Sequence, residues 1–105
     1  MNSKTQHISQ LIRSSINAID PSADVILYGS RARGDENQDS DWDLLILTNY
    51  PVNQMIERNF RNEIYDLELE TGEPFSVFIY SKNEWQTKQR ITPFYQNVLQ
   101  EGVHI

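Results

Sequence analysis

Two acids with one residue between them, Asp41 and Asp43, stand at the entry to the apolar run Leu44-Leu45-Ile46-Leu47, and ten residues separate them from a Gly29-Ser30 pair. On a strand, residues i and i+2 leave by the same face, so both carboxylates point one way and Trp42 the other. Two ionised carboxylates this close repel, and the repulsion is relieved by a divalent cation between them or by protonation of one. Mg²⁺ suits the first remedy: it takes oxygen ligands, keeps several waters and is commonly held by one or two carboxylates together with substrate phosphates. Gly29 ends a β-prone run, Asp24-Val25-Ile26-Leu27-Tyr28, where the backbone must turn sharply. The small Ser30 hydroxyl and the amides of a helix opening there suit a phosphate that comes close to the main chain. Arg31 and Arg33 bring positive charge to a chain that has little of it. A phosphate turn and a carboxylate pair joined in one stretch point to metal-assisted nucleotidyl transfer.

The elements that must hold this stretch can be read from periodicity. Residues 3 to 19 carry Ile8, Leu11, Ile12, Ile16 and Ile19 at helical spacing, and the helix must stop before Pro21. Residues 24–28 and 42–47 read as buried strands. A helix is predicted from Val52 to Leu69, with Met55, Ile56, Phe60, Ile64 and Leu67 inward and a stop at Thr71-Gly72. Phe75 to Tyr80 is a third strand. Ser81 with Glu84 has the form of a capping box, which starts a short helix carrying Trp85 inward, and Pro93 to Gln100 reads as a last helix. Such alternation predicts an α/β domain, a small sheet of about three to four strands with helices packed against it.

Composition narrows the function. The 105 residues carry a net charge of −6, no cysteine and no repeat or linker, which fits one domain over residues 1–105. Without cysteine there is no disulfide framework or thiolate metal site, so any metal must sit on oxygen or imidazole. The longest apolar run falls far short of the roughly 20 residues that cross a bilayer, and the polar start MNSKTQHISQ has no apolar signal region. A cytoplasmic protein with no membrane partner is the expectation. The acidic balance argues against a broad nucleic-acid surface, which draws its affinity from clustered Lys and Arg.

The joined pattern resembles the minimal nucleotidyltransferases of the DNA polymerase β superfamily. Their signature is Gly-Ser, ten residues, Asp-x-Asp, and Gly29-Ser30 with Asp41-Trp42-Asp43 match it at full spacing, inside Gly29-Ser-Arg-Ala-Arg-Gly34 and Ser40-Asp-Trp-Asp-Leu44. The resemblance implies the polymerase β-like fold and the transfer of a nucleoside monophosphate from a nucleoside triphosphate, ATP first among them, to a hydroxyl of a protein, RNA or small molecule. It implies Mg²⁺ or Mn²⁺ held by Asp41 and Asp43, and triphosphate bound at Gly29, Ser30, Arg31 and Arg33. A third carboxylate is expected on the next strand, where this chain has Ser76; Glu73 could serve only if that strand began later. The resemblance further implies a protein partner, a helical HEPN-type toxin for which this chain is the antitoxin.

Plainer readings stand beside these. Arg31 and Arg33 could simply balance Asp35, Glu36 and Asp39, and Asp41 and Asp43 could mark a solvated strand edge. His7 and His104, near the two ends without paired spacing, are assigned no role. Trp42, Trp85, Phe78 and Tyr80 are read as core. Two function classes follow: an enzyme, or a nucleotide- or partner-binding module in which Ser76 has cost the chain its transferase chemistry.

Overall fold

The computed structural model describes residues 2–105. Its elements are α1 (Ser3–Ile19), β1 (Asp24–Tyr28), α2 (Ser30–Arg33), β2 (Trp42–Thr48), α3 (Gln54–Thr71), β3 (Phe75–Ser81), α4 (Lys82–Gln86), a 3₁₀ turn (Gln89–Ile91), α5 (Pro93–Glu101) and β4 (Val103–His104). They form one mixed sheet in the order β3-β2-β1-β4. β1 pairs antiparallel with β2 and β4, whereas β2 and β3 run parallel. A parallel neighbour needs a crossover, and α3 supplies it.

Alternation sorts the strand side chains onto two faces. Val25, Leu27, Trp42, Leu44, Ile46 and Ile79 pack with Ile8, Ile12 and Ile16 of α1 and Phe60, Ile64 and Leu67 of α3. Ile26, Leu45 and Leu47 point the other way, onto Trp85 of α4 and Tyr95 and Val98 of α5. β2 is therefore covered on both faces, which is why its sequence is an unbroken apolar run rather than an alternating one.

Helix ends are set by side chains. Asn2 accepts from the Thr5 amide, Asn53 from Ile56, Ser81 from Glu84 and Thr92 from Tyr95. The Asn53 cap starts α3 two residues later than the periodicity predicts, and Gly72, at φ +72°, ends it at Thr71. Met55 then falls off the buried stripe Ile56-Phe60-Ile64-Leu67 and is 68 % exposed, contrary to the inward placement expected of it. Phe78 also departs from expectation: β3 is an edge strand covered there mainly by Phe94, and Phe78 is exposed. Trp42 and Trp85 are core, as read, and Tyr80 is half-buried against Trp85. β4, which carries the exposed His104, is the fourth strand of the expected three to four. No described helix is long and apolar enough to cross a membrane.

Candidate active site

Gly29 links β1 to the short α2 with φ +75° and ψ −160°, a conformation that side-chain-bearing residues rarely adopt. The absent side chain matters as much as the torsion. A Cβ at this position would overlap Oδ2 of Asp43, so glycine is what lets that carboxylate lie against the turn. The Gly29 carbonyl accepts from the amides of Ala32 (3.1 Å) and Arg33 (3.0 Å), and the Ser30 carbonyl from Gly34 (2.9 Å). The Ser30 and Arg31 amides, at the start of this turn of helix, have no acceptor within it.

Asp43 is the second residue of β2 and shares the α4/α5 face of the sheet with Leu45 and Leu47, opposite to Trp42. Its strand partners are Tyr28 on β1 and Ser76 on β3. Asp41, one residue before β2, is exposed at the rim, and it lines with Ser76, Phe75 and the α3 side chains Asn62, Tyr65 and Glu68 an open groove of about 640 Å³. A second groove, lined by Thr48, Tyr50 and Lys82 among others, opens at the far end of β2, away from both acids. Partial burial, the Asp41 charge and then the Glu101 charge push the Asp43 carboxyl above its ordinary value, with Arg33 opposing weakly. Among the described residues no cation stands within ion-pair distance of Asp41 or Asp43.

The two arginines do different work. Arg31 is buried: its guanidinium lies 4.5 Å from the Trp42 ring centroid and donates to the carbonyl of Ser40 at 3.1 Å through Nη2. It braces the segment leading to Asp41, and a contact from Arg31 to phosphate would require it to leave these partners. Arg33 is exposed and is held by Asp35 (3.0 Å) and Glu101 (2.9 Å), both of which keep it firmly charged. Glu73 lies before β3 and pairs with Lys4 of α1 at 2.6 Å, so it is not a ligand beside the aspartates. β3 begins at Phe75, and Ser76 holds the place opposite Asp43.

One participant escapes sequence reading altogether. Glu101, the last residue of α5, accepts from the Gly29 amide through Oε1 at 3.0 Å and from Arg33 through Oε2 at 2.9 Å. No local pattern signals a contact across 72 residues of chain.

The donor set suits a divalent cation that arrives with its own oxygens. Asp43 is half-buried with no cation in ion-pair contact among the described residues, and Asp41 adds to its load. No group of three His, Cys, Asp or Glu among the described residues could hold a metal by itself. Two carboxylates would need phosphate oxygens and water to complete such a site, a habitual arrangement for Mg²⁺.

The family model described as a nucleotidyltransferase domain matches residues 10–101. Two solved structures share the fold. One is a toxin-antitoxin with AMP-PNP, at 14 % identity and a TM-score of 0.68, with 91 % of this chain and 70 % of that one covered. The other is a mutant of the toxin-antitoxin MntA-HpeT, at 16 % identity and a TM-score of 0.61, with 99 % and 72 % covered. No curated protein matches the chain's sequence.

Proposed function

Because the chain belongs to the nucleotidyltransferase domain family, we propose that it moves a nucleoside monophosphate from a nucleoside triphosphate, ATP first among them, onto a hydroxyl of a protein, RNA or small-molecule acceptor. The observation that supports this reading is the seating of Asp43 against Gly29, one acid of the proposed pair against the proposed phosphate turn. Ser30 and the free amides of the turn take the terminal phosphates, with Arg33 adding charge. Asp41 and Asp43 hold Mg²⁺ or Mn²⁺. When bound, the cation neutralises charge on the phosphates and on the departing pyrophosphate. The acceptor hydroxyl gives up its proton to solvent, and its oxygen forms a bond to the α-phosphorus as the bond from that phosphorus to pyrophosphate breaks.

Ser76 sets the limit on rate. It offers a neutral hydroxyl opposite Asp43, so affinity for a second cation is low and transfer is slow relative to nucleotide binding. The same residue favours a second reading, a nucleotide- or partner-binding module without transfer. The likeness in fold to two toxin-antitoxin proteins supports a protein partner, and the resemblance in sequence suggests a helical HEPN-type toxin that this chain modifies or covers as antitoxin.

The deciding experiment mixes the protein with α-labelled ATP, Mg²⁺ and a toxin partner encoded beside it. Label on the partner with release of pyrophosphate, absent in Asp43→Asn, supports transfer. Mg²⁺-dependent ATP binding without any transfer supports the binding module.

A further inference from the structure

We propose that Glu101 is an internal competitor for the triphosphate: it holds Arg33 and the Gly29 amide in the free protein, and an incoming phosphate must take Arg33 from it. The inference rests on the nucleotide site proposed above. Its basis is the two-handed contact of one carboxylate, Oε1 on the Gly29 amide at 3.0 Å and Oε2 on Arg33 at 2.9 Å. An anion already stands where the turn offers its donors.

Two features make this contact displaceable rather than a simple brace. Glu101 ends α5, where a negative charge meets the negative pole of the helix and is disfavoured. Arg33, its only cationic partner among the described residues, keeps 46 % of its side chain exposed and is shared with Asp35, so the ion pair is screened and weak. A triphosphate carries several charges against the single charge of Glu101, and a cation on Asp41 and Asp43 draws it to the same place. Arg33 keeps Asp35 as a partner throughout, so release of Glu101 does not leave the arginine unpaired.

The role predicts a gain where a structural role predicts a loss. Glu101→Gln retains an oxygen for the Gly29 amide and removes the charge that competes for Arg33. Calorimetric titration of the variant with ATP in millimolar Mg²⁺ should show binding about two- to five-fold tighter than in the unaltered protein. Glu101→Asp, too short to reach both donors, should shift affinity in the same direction and guards against a peculiarity of the amide. In an Arg33→Gln background the Glu101→Gln gain should shrink, since the group competed for is gone. Folded variants that bind ATP with unchanged or weaker affinity, while the unaltered protein binds it, overturn the competitor and leave the nucleotide site standing. Absence of binding in every form overturns both. Binding by Glu101→Gln alone supports both.

Discussion

Asp43 and Ser76 are direct partners across the parallel β2–β3 pair, side chains on one face of the sheet. In that register a carboxylate on β3 would stand beside Asp43; with a hydroxyl there, the proposed metal pair would draw its remaining oxygens from substrate and water.

Ser76→Asp should therefore rebuild a three-acid site. Without metal, three acids repel and the melting temperature should fall; Mg²⁺ should restore it and bind roughly tenfold more tightly than in the unaltered protein. Thermal melts with chelator and with Mg²⁺ read both effects. A melt that does not respond to Mg²⁺ would remove residue 76 from the site.

Gly29→Ala tests the seating of Asp43. The new methyl meets the Asp43 carboxylate and the backbone sits at a positive φ, so a loss of about 1–3 kcal/mol is expected in urea unfolding. Nucleotide affinity should fall further than a surface substitution of equal stability cost would lower it. Retained stability and affinity would mean that the turn does not need glycine.

Asp43→Asn should stabilise the metal-free protein while abolishing Mg²⁺-dependent nucleotide binding. The sign follows from the raised Asp43 value: as pH climbs past the ordinary carboxylate range the unfolded chain ionises first, so the folded state loses stability until Asp43 itself ionises. The variant lacks this loss. Its advantage in melting temperature should be nil in strong acid, grow through that window and then stay level. An advantage independent of pH would assign the effect to packing.

Arg31→Met probes the buried brace. It strands the Ser40 carbonyl and removes the cation from the Trp42 face, at a cost of about 2 kcal/mol in unfolding free energy. Mg²⁺-dependent ATP binding should weaken through a loosened Asp41, whereas a phosphate ligand on Arg31 would show loss of binding with stability intact.

Much of this was legible because local physics and tertiary structure agree. The helical stripe of α1, the unbroken apolar run of β2 and the joined Gly29-Ser30 and Asp41-Trp42-Asp43 pattern each depend on nearby residues. What escaped depends on distance in the chain. Arg31 reads as a surface cation until Trp42 and the Ser40 carbonyl fold over it. Glu101 reads as the end of an amphipathic helix, and only the pairing of β4 with β1 brings it to Gly29. Phe78 has a core-like side chain on a strand whose place at the sheet edge no local signal reveals.

Whether the Asp41–Asp43 pair and the phosphate turn form one site is read by calorimetry of ATP binding with and without Mg²⁺. In millimolar Mg²⁺ the unaltered protein should bind ATP at least tenfold more tightly than in chelator, because the cation joins two carboxylates to the phosphates. Ser30→Trp, which fills the turn, should lose that binding while its melting temperature stays close to that of the unaltered protein. Equal affinity in Mg²⁺ and in chelator, or undiminished binding by a folded Ser30→Trp, would mean that the acids and the turn do not share one nucleotide site.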